Sequence, residues 1–206
     1  KGNYDVARQL LDESMEIGLS AKFKALSFYW LGELAMLNGN YDEACAMYKD
    51  YIRSAPRSDK EYLMAHYGLG YAYFAKNDYE NATLAFNSFL SGYEFGDKVV
   101  INRASGEYVA KEHVRYVYDA QNRFADSHFA QRHFDAARKA YNVASLYSDT
   151  TSAIYHYANY QLAIIDGVKD MTNSKLERLK KLVRCGGEYT DNAWYEMGRT
   201  YISLGE

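Results

Sequence analysis

Apolar residues along the 206-residue chain gather in ten stretches of helical length, rich in small alanines and large rings, with short polar or glycine-containing breaks between them. The stretches predict helices near 3–18, 21–38, 41–55, 59–76, 79–92, 114–131, 134–147, 151–167, 172–185 and 190–204. Several starts carry capping residues: Ser58-Asp59 after Pro56, Ser148-Asp149-Thr150 before Tyr155, and Thr190-Asp191 before Trp194. Cys185-Gly186-Gly187 is a helix stop. One segment, 93–112, breaks the pattern. There Val99-Val100-Ile101 and Glu107-Tyr108-Val109 flank a turn-like Asn102–Gly106, which reads either as a small β-hairpin or as a helix-linking loop.

The breaks repeat. Gly2-Asn3-Tyr4-Asp5-Val6-Ala7 returns as Gly39-Asn40-Tyr41-Asp42-Glu43-Ala44, then as Asn77-Asp78-Tyr79-Glu80-Asn81-Ala82 and Arg132-His133-Phe134-Asp135-Ala136-Ala137. Each copy has a residue that lets the chain turn, an aromatic that starts the next helix, and an alanine three residues on that lets a neighbouring helix approach. A second motif precedes the breaks: Leu31-Gly32, Leu69-Gly70 and Met197-Gly198. A glycine inside a helix costs about 1 kcal/mol against alanine, so its retention in register predicts close backbone contact. The steps between turns are 37, 38, 55, 38 and 35 residues, which places 93–112 as an insertion between repeats. The chain begins at Lys1 without Met, and it begins and ends at the same phase. It is therefore expected to be one array over 1–206, cut from a longer protein.

These motifs resemble the tetratricopeptide repeat family. Phe28, Leu31, Gly32, Ala44, Tyr48 and Pro56 have the family spacing, and so do Leu69, Gly70, Tyr73, Ala82, Phe86 and Phe89, with His66 where the family prefers Trp. Trp194, Met197, Gly198 and Tyr201 match the first half of a last repeat. Phe124, Ala125, Ala137, Tyr141 and Ala144 form a degenerate copy, and Ala163, Lys175, Leu179 and Leu182 a poorer one. The resemblance implies an all-α, right-handed α-solenoid of helix-turn-helix repeats, and a non-enzymatic scaffold that binds a protein or peptide in a concave groove. First helices line that groove at repeat positions 2, 5, 9 and 12. Carried over residue by residue, the groove holds Tyr29, Glu33, Met36, Tyr67, Tyr71, Phe74, Asn122, Asp126, Tyr160, Tyr195 and Arg199, with Phe129, Ile164 and Ile202 continuing the series. Chaperone-tail clamping by Lys and Asn at positions 5 and 9 does not fit these residues. The long period and the tyrosine-rich helices are similar to bacterial envelope members of the family, such as outer-membrane assembly lipoproteins and Tol-Pal-associated coordinators, which implies a periplasmic or envelope location. The alternative is an assembly module acting through the array ends or the 93–112 insertion, with self-association.

Composition narrows the chemistry. A net charge of −3 gives no basic excess for a phosphate backbone, so no nucleic-acid partner is expected. Tyr supplies 22 residues, a type with an apolar body and a polar tip that suits contact surfaces. One proline excludes proline-rich linkers, and that residue, Pro56, falls where the repeat family ends its second helix. No stretch reaches the 18 or more apolar residues of a membrane span. Cys45 and Cys185 lack metal or redox spacing, the histidines form no H-E-x-x-H, and Gly68-Leu69-Gly70 sits inside a helix rather than a phosphate loop. No cofactor, metal or catalytic group is expected.

Overall fold

The computed structural model describes residues 3–17, 20–96 and 99–205. Among them are ten helices and two short strands: α1 Tyr4–Glu16, α2 Ala21–Leu37, α3 Tyr41–Ser54, α4 Lys60–Ala75, α5 Tyr79–Leu90, β1 Tyr93–Gly96, β2 Val99–Asn102, α6 Lys111–Ala130, α7 Phe134–Tyr147, α8 Ala153–Val168, α9 Thr172–Cys185 and α10 Thr190–Leu204. The fold is all-α, an array of antiparallel helix pairs with one hairpin. The chain forms two compact units. One runs up to Gly92 and includes Arg103–Ser105. The other holds Tyr93–Asn102 and the residues from Gly106 on.

The phase read from the sequence is a backbone phase. Gly39, Asn77, Arg132, Asp170 and Gly205 all have positive φ, between 56° and 78°, at the end of a first helix. The earliest turn of the series, at Gly2, lies outside the described residues. After four of these turns the chain closes the same six-residue bond. Asn40 N–H donates to Ala35 O, Asp78 to Tyr73, His133 to His128 and Met171 to Asp166, at 2.8–2.9 Å. This pairing satisfies carbonyls that a helix end otherwise leaves open. An aromatic clamp accompanies two of the turns. Phe74 meets Tyr79, and Phe129 meets Phe134, edge to face with centroids 5.4 Å apart in both. An ion pair recurs as well: Lys76 with Asp42 at 2.5 Å, and Lys169 with Asp135, each joining the start of one second helix to the next turn.

Small residues set the helix spacing. A Cβ on Gly32 would lie 2.8 Å from the Tyr48 ring, one on Gly68 would lie 2.5 Å from the same ring, and one on Gly70 would lie 2.7 Å from Phe86. Tyr48 thus fills the space between α2 and α4, where only glycine leaves room. Around it the first unit buries Leu31, Ala35, Ala44, Tyr51, Ala65, Phe86 and Phe89. The second unit has two clusters. Ala125, Ala137, Tyr141, Ala158, Leu162 and Ile165 form one; Ala163, Leu176, Leu179, Leu182, Ala193 and Met197 form the other. The alanine expected at the start of each second helix is Lys175 in α9. Its stem fits because the residue facing it is Gly167, whose Cβ would lie 3.1 Å from Lys175 Cδ.

The insertion is a hairpin, but its main strand partner differs from the sequence reading. β2 pairs antiparallel with the upstream β1, with Tyr93 opposite Asn102 and Phe95 opposite Val100. The 107–109 segment contributes only a bridge from Tyr108 to Ile101 and a 2.8 Å bond from Val109 N–H to Val100 O. The reason is packing. Phe95 reaches Tyr118 on α6, with centroids 6.3 Å apart, whereas the ring of Tyr108 stays in solvent.

Candidate protein-binding face

In the first unit the candidate residues lie along α2 and α4. Tyr29 is 7% exposed and packs against Tyr48 and Tyr51, with centroids 6.2 and 5.5 Å away. It forms the wall of the face rather than its surface. Glu33 accepts a 2.5 Å hydrogen bond from the Tyr48 hydroxyl. Met36 is half-buried at the end of α2. Tyr67 and Tyr71, also half-buried, meet edge to face at 5.0 Å, and both rest on Phe86, with Phe89 beneath Tyr67. Phe74 serves the turn clamp. The result is an aromatic strip backed by second-helix rings.

In the second unit the same positions are polar and linked. Asn122 is buried and donates from Nδ2 to Ile154 O at 3.2 Å. Asp126, also buried, accepts from the hydroxyls of Tyr141 and, at 2.7 Å, Tyr157, and its Oδ2 lies 2.6 Å from Arg123 Nη1. Burial pushes the Asp126 carboxyl above the usual carboxylate range, against the pull of Arg123 and the two hydroxyls. Burial and the Asp126 charge push both tyrosines up, so they remain donors. Tyr160 is half-buried, and Tyr195 is 67% exposed on α10 with Arg199 lying over its ring. Arg199 also bonds Glu196 at 2.9 Å, and Glu196 takes a second bond from Lys175 at 2.9 Å. Burial alone would raise the Glu196 carboxyl, but these two cations hold it below its ordinary value.

Three residues that sequence reasoning did not name complete this face. Arg123 stacks on Tyr157 at 5.0 Å, and Tyr189 bridges Tyr157 and Tyr160 at 5.7 and 5.3 Å. Tyr157 stands three residues before Tyr160, at repeat position 2, so its signal was present in the same scheme. Tyr189 caps α10 from outside the helix, where helix positions carry no signal. The rings of His128 and His133 come within 5.9 Å of each other across the turn between α6 and α7. Among the described residues, no group of three or more His, Cys, Asp or Glu is placed to hold a metal ion. No described helix is long and apolar enough to cross a membrane.

A family model described as tetratricopeptide repeat matches residues 26–58, and another with the same description matches 65–91. The chain carries tetratricopeptide repeats. Such repeats make protein-interaction scaffolds, and this chain is built as one. Over 65 residues it is 35% identical to the RNA polymerase-associated protein CTR9 of Caenorhabditis elegans, a match that spans 32% of this chain and only 5% of that protein. Among solved structures it is similar to YrrB, described as a tetratricopeptide protein with an unusual peptide-binding site, with a TM-score of 0.70 and 15% identity over 95% of this chain and 84% of that one. It is also similar to MamA from Desulfovibrio magneticus RS-1, with a TM-score of 0.64 and 14% identity over 89% and 86%. For BtubC from P. vanneervenii the TM-score is 0.66, with 14% identity over 100% and 85%. At these identities the likeness is one of fold.

Proposed function

We propose that this tetratricopeptide array is a non-catalytic scaffold that holds an extended segment of a protein partner on its first-helix face. The observation that carries the reading is the surface of the second unit, where Tyr157, Tyr160, Tyr189 and Tyr195 stand with Arg123 and Arg199 lying over two of the rings. Rigid aromatic side chains and arginine dominate binding energy at protein interfaces, because they bury large area at low entropy cost. Tyr67 and Tyr71 offer the same chemistry in the first unit. A peptide-binding site described for the similarly folded YrrB supports the reading. The test is selection from a displayed peptide library on the purified chain, followed by binding of the selected peptide to a Tyr67→Ala, Tyr160→Ala, Tyr195→Ala variant. Affinity is expected to fall at least tenfold with helical content intact; undiminished binding overturns the groove reading. Tyr29 is left out because its removal would damage the core.

A second reading rests on the insertion. Val99, Tyr108 and Leu146 border a cleft of about 830 Å³ floored by Val100, Val114 and Ile154. Tyr108 and Leu146 are each 74% exposed. Exposed large apolar residues around one cleft suit a docking element. A Tyr108→Ser, Leu146→Ser variant that binds partner and sediments as the parent does would remove this reading.

A further inference from the structure

We propose that the insertion captures its partner by strand addition: an extended, acidic protein segment pairs with the main chain of 108–110 and places an apolar side chain in the adjoining cleft. The proposal rests on the docking reading of the insertion and names the bonds and the partner chemistry. The 107–109 segment is the outer strand of the hairpin. Asn102 N–H donates to Glu107 O and Val109 N–H to Val100 O, at 2.9 and 2.8 Å. These bonds flank the Ile101–Tyr108 bridge, so those two residues stand opposite each other without bonding. Antiparallel main chain alternates, and the Tyr108 N–H and C=O therefore point away from β2. The next donor on that side is Ala110 N–H, in a residue still extended at φ −58° and ψ 145°. Both residues are exposed, and among the described residues none of these three groups has a hydrogen-bond partner. Such a row of open main-chain groups is a template for another strand. Segments that add to a sheet edge take affinity from those bonds and specificity from side-chain pockets.

The pocket is the cleft of about 830 Å³ that Tyr108 and Val109 border. Its floor and its Leu146 rim are apolar, which suits a large side chain. Its charges choose the partner. Lys111 and Arg115 stand on the wall against one carboxylate, Asp149. Arg115 lies over the Tyr116 ring and donates to its hydroxyl at 3.1 Å, a neutral partner. Neither cation has a carboxylate at ion-pair distance among the described residues. Asp149 is already engaged: it accepts from the Thr151 N–H and hydroxyl at 2.9 and 2.8 Å. Those bonds first, and the charge of Lys111 to a lesser degree, hold its carboxyl below the usual carboxylate range. The Ser148 and Ser152 hydroxyls are spent on Ala144 O and Asp149 O, so the wall offers charge rather than spare hydroxyl donors. α6 also begins here, with no side chain capping its first turn. A helix start favours negative charge. The edge, the apolar floor and the two cations together fit a strand that carries a large apolar residue with carboxylates on the same face.

The experiment titrates the isotope-labelled full chain with a short acetylated and amidated peptide, followed by NMR. The peptide has a central Phe, an Asp two residues away on each side, and Thr between, so that Phe and Asp share one face of a strand. Saturable binding is expected, with amide exchange at Tyr108 and Ala110 slowed about tenfold and at Val109, already bonded to Val100 O, slowed less. Two N-methylated peptides then test the main chain. One is methylated at Phe and Asp, the other at Thr. Strand N–H groups alternate, so one peptide should lose binding and the other keep it. Asn in place of both Asp should weaken binding about tenfold, and the Lys111→Gln, Arg115→Gln variant should erase that difference. Equal binding of the two methylated peptides, with the signals of Leu146 still moving, overturns strand addition while the docking reading stands. An Asn peptide that binds as tightly overturns the acidic partner. No saturable binding at about 1 mM peptide overturns the proposal as a whole, and the docking reading is then decided by its own Tyr108→Ser, Leu146→Ser variant.

Discussion

The α4–α5 pair and the α6–α7 pair stand at the same phase of the repeat, yet they close their interiors in different ways. Between α4 and α5, Tyr71 meets Phe86 ring to ring, at 5.5 Å. At the corresponding positions of α6 and α7, Asp126 accepts from the Tyr141 hydroxyl. The α2–α3 pair repeats the second solution with Glu33 and Tyr48. The residue change on one helix is thus matched on the other: a carboxylate goes with a tyrosine, a ring with a phenylalanine. Repeat position 9 belongs to the candidate face, so this internal choice also decides whether that face is aromatic or charged there.

Predictions that break this comparison run from large to small. Phe86→Ala empties a buried ring site and should cost about 3–5 kcal/mol, read by chemical denaturation. Gly70→Ala imports the residue that α6 carries as Ala125. Because Phe86 stands 2.7 Å from the new methyl, it should cost about 1–3 kcal/mol. Gly198→Ala, at the same motif position in α10 with nothing within 4 Å, should instead gain up to about 1 kcal/mol. Equal signs for the two glycines would refute the packing argument. Tyr141→Phe removes one donor from buried Asp126 and should cost about 1–3 kcal/mol.

Two carboxylates of the second unit, Asp126 and Glu196, sharpen the contrast through pH. Asp126 holds its proton more tightly in the folded chain than in the unfolded one. Its contribution to stability therefore grows as pH falls from its raised native value toward the ordinary value near 4, and then levels off. Glu196 has the opposite sign: its contribution is present above the ordinary value and is lost as pH falls through its depressed native one. Denaturation midpoints between pH 7 and 3 should show Asp126→Asn and Glu196→Gln diverging from the parent in opposite directions. A further small effect is expected at the turn. Arg132→Gly replaces an exposed side chain held at φ 60° and should raise stability by about 1 kcal/mol. An unchanged or lowered melting temperature would count against strain there.

Much of this architecture was legible in the chain itself. The turn phase fell on Gly39, Asn77, Arg132, Asp170 and Gly205, although three of these are not glycine. The flanking aromatic and alanine carried the register at Asn77 and Arg132, and the spacing alone carried it at Asp170, where Thr172 and Lys175 take their places. The helix bounds agree to within about three residues, the largest difference being α6, which begins at Lys111. The depth of each ring was not legible. Tyr29 and Tyr67 hold the same position, but α3 sets Tyr51 against the first where α5 sets Phe89 against the second. A position scheme gives direction from the helix axis, whereas burial depends on the partner helix. Tyr189 was missed for a related reason: it joins the face from a cap.

The Lys175–Gly167 exchange has a chemical consequence. With 14% of its side chain exposed and its amine on Glu196, Lys175 is shielded from acylating reagents that reach a lysine such as Lys60, at 90%. Its modification must wait until α9 and α10 part. The rate at which mass spectrometry finds Lys175 labelled is thus a clock for that local opening, readable in the native protein without a mutation.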